Sequence, residues 1–123
     1  MMQLNRDDAE HRIPIELRLI YHRIADAFAS RDYGLIRHPI EGVQLADRET
    51  AVYIAECVQA YGDVLAGLDE STWERSCYRS IGDHWEALVD LATMHEPVSD
   101  LTLHTRIYLE PELRIVIDSV HVP

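Results

Sequence analysis

Ser99-Asp100-Leu101-Thr102-Leu103-His104-Thr105-Arg106-Ile107-Tyr108-Leu109, then Glu110-Pro111-Glu112, then Leu113-Arg114-Ile115-Val116-Ile117-Asp118-Ser119-Val120-His121-Val122, is the stretch whose reading decides the fold. Leu101, Leu103, Thr105, Ile107 and Leu109 alternate with Thr102, His104, Arg106 and Tyr108. After the turn, Leu113, Ile115 and Ile117 alternate with Arg114, Val116 and Asp118. A period of two on both sides of a Pro-containing turn predicts a β-hairpin with one buried face. A three-residue turn sets Ile107 opposite Ile115, Thr105 opposite Ile117 and His104 opposite Asp118. The apolar residues then fall together, which supports that register.

Upstream of the hairpin, His84 to Met94 alternates Trp85, Ala87, Val89, Leu91 and Thr93 with Glu86, Leu88, Asp90, Ala92 and Met94. Trp73 to Ser80 bears arginines and suits an edge strand. Further back the period changes. Leu17, Ile20, Tyr21, Ile24 and Phe28 share one helical face after Pro14. Asp47 is placed to cap a second helix, on which Ala51, Ile54, Ala55, Val58, Tyr61 and Leu65 form the apolar side and Glu49, Tyr53, Glu56, Ala60 and Asp63 a narrow opposite line. Residues 31–46 hold Gly34, Pro39 and Gly42 and read as an irregular connection. The expected architecture is α+β, with two N-terminal helices packed on one face of an antiparallel meander of about four strands. Residues 1–12 are expected to form a flexible segment, and 13–123 a single domain.

The 123 residues carry 22 acidic side chains against 11 basic ones, all arginine, for a net charge of −11. The excess begins in residues 40–72, where seven acids face Arg48 alone. Such a charge repels nucleic acid and anionic membrane surfaces and favours a basic partner. No run of about 18 apolar residues is present, and the first residues lack the apolar core of a signal peptide. The expected location is therefore cytoplasmic. Cys57 and Cys77 have no metal-type spacing and are expected to be buried free thiols.

No Gly-rich phosphate loop, Cys-x-x-Cys pair or other catalytic motif occurs, and the absence of lysine excludes lysine chemistry. Neither a cofactor nor a metal is expected. One ionisable cluster can be assembled: extending the hairpin register across residues 95–99 sets Asp90 beside His104, giving a row Asp90, His104, Asp118 that could orient a general base or ligate a metal. Against it stands ordinary cross-strand charge pairing. The stronger candidate is a surface, namely Glu49, Tyr53, Glu56 and Asp63 on the exposed side of the second helix. A third reading is a structural homodimer closed through the outer sheet face, where Leu88, Ala92, Met94, Tyr108, Val116 and Val120 would lie.

Asp32-Tyr33, Tyr61-Gly62, Trp85, Val89-Asp90-Leu91, Ser99-Asp100-Leu101-Thr102-Leu103, Ile117-Asp118 and His121-Val122 together resemble a family of small bacterial domains of unknown function. The resemblance spans roughly residues 15–122, and its C-terminal third is the specific part. It implies no activity and transfers no catalytic residue. In size and charge the chain is similar to immunity proteins that neutralise toxins, an analogy of class. The expected function is thus a non-enzymatic bacterial interaction protein, immunity- or antitoxin-like, that binds a basic partner through its acidic helix face. A small enzyme or ligand-binding domain built on Asp90, His104 and Asp118 is the alternative.

Overall fold

Pro14 has no N–H to lose and so opens helix α1, Ile15–Ala29, at no cost in hydrogen bonding. The helix turns Leu17, Tyr21, Ile24 and Phe28 inward. Asp47 caps α2, Arg48–Tyr61, by accepting the Thr50 N–H at 2.7 Å, and Gly62 ends it at φ 85°, a left-handed conformation suited to glycine. The computed structural model describes residues 2–123.

The strands are β1 His11–Arg12, β2 Leu65–Ala66, β3 Cys77–Ile81, β4 His84–Asp90, β5 Ala92–Thr93, β6 Thr102–Tyr108 and β7 Arg114–His121. The main sheet is antiparallel in the order β1-β3-β4-β6-β7, and β2 pairs with β5 in a small second sheet. The expected α+β class holds, with five strands in place of about four. The predicted 84–94 strand divides at Leu91: β4 stays in the main sheet, while β5 crosses to β2, because Leu65 and Ala66 supply a second set of partners. Trp73 lies in a 3-10 helix over Glu70–Glu74, so only 77–80 of the predicted edge strand is extended, and β3 runs one residue beyond it to Ile81.

The inner sheet face presents Trp85, Ala87, Val89, Leu103, Thr105, Ile107, Ile115, Ile117 and Val120, all buried. Helix α1 covers it. Its Tyr21 hydroxyl meets the Thr105 hydroxyl at 2.7 Å, a polar pair satisfied inside the core. Helix α2 lies against β7, burying Ile54 and Val58, and is not laid across the sheet beside α1. Ahead of it the 42–44 segment runs parallel to β7: Gln44 donates its N–H to the Ile115 carbonyl and Ile115 donates to that of Gly42, at 2.8 and 2.7 Å.

The N-terminal segment meets the edge of the sheet. His11 and Arg12 pair with Tyr78 and Cys77, and Leu4 is buried in the main core. Residues 2–12 are therefore laid on the domain, because Trp85 and Tyr78 offer an aromatic surface that their own strands leave uncovered.

Candidate functional site

Helix α2 sets Glu49, Tyr53 and Glu56 at spacings of four and three residues, so the side chains stack on one face. That face borders a groove of about 440 Å³, lined by Glu49, Thr50, Val52, Tyr53, Glu56 and Asp118. Val52 and Tyr53 are each about half exposed. The Cys57 thiol, one turn along from Tyr53, raises the Tyr53 phenol above its ordinary pKa by hydrogen bonding and charge. The phenol is a hydrogen-bond donor on an acidic surface.

Asp118 enters the groove through a β-bulge. The β6–β7 ladder pairs Thr105 with Ile117 and Ile107 with Ile115, as expected, but His104 pairs with Ser119. Asp118 is the extra residue of the bulge. Arg106 grips it through Nε at 2.9 and 3.0 Å and through Nη2 at 2.8 Å. This fork-like contact fixes the carboxylate's position and raises the pKa of Arg106, with Asp118 the leading cause. Asp118 could not be assigned to the groove from strict alternation. The signal was nonetheless in the sequence, since the apolar spacing changes from two to three between Ile117 and Val120.

The Asp90–His104–Asp118 row does not form. The β4–β6 ladder pairs Leu88 with His104 and Asp90 with Thr102, two residues away from the expected register. The cause is the chain's exit through β5, which lengthens the connection beyond a tight hairpin. Each of the three residues has its own partner. Thr102 donates to Asp90 at 3.1 Å, His104 Nε2 lies 3.3 Å from Glu86, and Arg106 holds Asp118. No group of three or more His, Cys, Asp or Glu residues suited to a metal ion occurs among the described residues.

Asp63 separates from the helix stripe, because Gly62 ends α2 before the next turn could carry it there. Hydrogen bonds from Thr93, His95 and the Val64 N–H hold its carboxyl at about 2. It lines a different cavity, with Phe28, Tyr33 and Val58. The outer sheet face also differs from the expected apolar surface. The bulge turns Val120 inward, Ala92 is buried and Met94 lies beyond the strands. What remains around Leu88, Tyr108 and Val116 is a grid of ion pairs, Arg79 with Glu86, Glu86 with His104 and Arg106 with Asp118.

A larger cleft of about 930 Å³, which the sequence did not suggest, lies between α1, the 41–44 segment and the 111–114 turn. Ile20, Val43 and Leu113 are among its apolar lining residues, and Arg23 and Arg114 lie beside Glu41 and Glu112. Mixed charge of both signs gives it no clear ligand preference.

Compared with known protein families, residues 25–123 match the family described as a domain of unknown function, DUF7668. The chain belongs to this family. The DUF7668 match takes in both walls of the α2–β7 groove and every strand except β1. No curated protein and no solved structure matches the chain. Among the described residues no helix is long and apolar enough to cross a membrane.

Proposed function

We propose that this DUF7668 domain is a non-enzymatic interaction protein that binds a basic protein partner, in the manner of immunity proteins that occupy the cationic cleft of a toxin. The observation that carries this reading is the groove itself: Glu49, Tyr53 and Glu56 share one wall, and Asp118 stands in the other. Glu49 and Glu56 attract an arginine or lysine, with Asp118 held by Arg106 on the facing wall, while the half-exposed Tyr53 ring supplies an amphipathic anchor of the kind that dominates interface energetics. The net charge of −11 would speed encounter with a cationic partner and make association weaken with salt. The two free cysteines fit a reducing compartment, and the reading takes the protein to act in the cytoplasm.

The experiment is affinity co-purification with the wild-type chain and the Tyr53→Ala, Glu56→Arg double variant side by side, followed by titration of the retained protein. A basic protein bound at least tenfold more tightly by the wild type is the expected result. Equal retention by both baits sinks the reading.

A further inference from the structure

The other edge of the sheet carries a separate feature. Residues 2–7 cross the end of the inner face at Tyr78 and Trp85, and the contacts they make are those of a bound peptide. The Asn5 backbone N–H donates to the Tyr78 hydroxyl at 3.1 Å, and the Trp85 indole Nε1 donates to the Asn5 carbonyl at 2.9 Å. Both backbone polar groups of one residue are thus satisfied by aromatic side chains, a mode of capture that does not depend on the side chain at that position. Leu4 on one side is buried, and the Arg6 guanidinium on the other sits 4.1 Å from the Trp85 ring centroid. Later in the same segment, β1 adds to β3 by two antiparallel pairs, His11 with Tyr78 and Arg12 with Cys77.

We propose that the Tyr78–Trp85 surface is a peptide-binding groove occupied in cis by the chain's own N-terminal strap, and that its external ligand is an extended basic segment with a leucine-sized side chain two residues before an arginine. The strap displays the chemistry the groove accepts: an extended backbone captured through its N–H and C=O groups, one apolar pocket, and one cation over an indole. It is also a displaceable occupant. Residues 5–10 are exposed, and the anchorage consists of Met2 and Leu4 against the core, the Asn5 backbone, the Arg6 side chain with a longer contact to the Gly82 carbonyl at 3.4 Å, and Glu10, which accepts from the Cys77 thiol at 3.3 Å.

Charge favours an outside competitor. Residues 25–123 hold 18 of the 22 acidic residues and seven of the 11 arginines, so the whole excess of −11 lies on the body that forms the groove. The strap answers it poorly, because Asp7, Asp8 and Glu10 follow Arg6. A segment with the same Leu-x-Arg core and basic residues in place of those acids brings positive charge to an acidic body.

The test uses the full-length chain. A released form, Leu4→Ser with Arg6→Ala, is compared with wild type for binding of a fluorescein-labelled synthetic peptide that copies residues 2–9 with Asp7→Arg and Asp8→Arg. The released form should bind at least tenfold more tightly than wild type. Adding Trp85→Phe should weaken that binding at least tenfold, whereas adding Tyr53→Ala with Glu56→Arg should leave it within twofold, which keeps this site distinct from the α2 groove. A control peptide lacking the leucine and arginine should not bind. Equal binding by wild type and released form, indifference to Trp85→Phe, or binding of the control peptide each overturns the proposal. So does a released form that fails to fold by circular dichroism, since the strap would then be part of the core. In wild type, hydrogen exchange at the Asn5 amide should run at least a hundredfold faster than at the β4 and β6 amides. Equal protection would refute a displaceable strap.

Discussion

Asp32 is the residue on which the irregular connection depends. Its side chain is 6% exposed, yet it accepts hydrogen bonds from the backbone N–H groups of Ile36, Arg37 and His38 and lies 2.9 Å from His38 Nδ1. Burial alone would raise its pKa. The His38 contact and the three N–H donors outweigh that and hold the carboxyl below the usual aspartate value. A folded pKa below the unfolded one contributes stability that is complete above about pH 3.8 and lost as pH falls further. Asp32→Ala should cost about 1–3 kcal/mol at neutral pH by orphaning those donors, with the deficit shrinking in acid denaturation below pH 4. In the core, Tyr21→Phe should cost about 1 kcal/mol, while Tyr21→Phe with Thr105→Val should recover most of it, because no buried hydroxyl is then left without a partner. Urea denaturation of the four forms of this cycle checks the coupling. Burial, and then the Glu10 carboxylate, push the Cys77 thiol up to about 11. Its alkylation at pH 8, followed by mass spectrometry, should be roughly 100-fold slower than that of a small free thiol and should keep rising toward pH 11.

At the scale of elements, the helices were the most legible part of the sequence. Pro14 and Asp47 stand where α1 and α2 begin, and Gly62 stands at the end of α2, because caps are local chemistry that a sequence displays directly. Gly62→Ala should lower stability by about 1–2 kcal/mol through the left-handed backbone alone, since nothing lies within 4 Å of the added methyl. The denaturation midpoint should fall with an unchanged slope. Strand pairing was legible in kind and not in register. Ile107 with Ile115 could be read from alternation, but the Asp118 bulge and the departure of β5 are decided by partners far away in the chain. The candidate site shared that fate. Glu49, Tyr53 and Glu56 came together because one helix carries them, whereas Asp63 left them at Gly62 and Asp118 joined them from β7.

For the whole molecule, the governing quantity is charge. Eleven uncompensated negative charges on a 14.2 kDa body repel one another, and salt screens that repulsion within about 10 Å at 0.1 M. Raising sodium chloride from 10 to about 150 mM should therefore raise the melting temperature by a few degrees. The same change should weaken binding to a cationic partner. Opposite responses of folding and association to one variable, measured by calorimetry and titration on the same sample, would separate the two effects.

At one edge of the main sheet β7 is flanked by the 42–44 segment and α2, and at the other the two-residue β1 covers only the first part of β3. An uncovered strand is a template on which other chains can stack, and a protein that leaves none long and bare resists fibril growth. The two guards differ in kind, since one is a helix seated on the core and the other only two residues long. Aggregation of this protein should accordingly begin where β1 parts from β3, and substitutions that strengthen those two pairs should slow it.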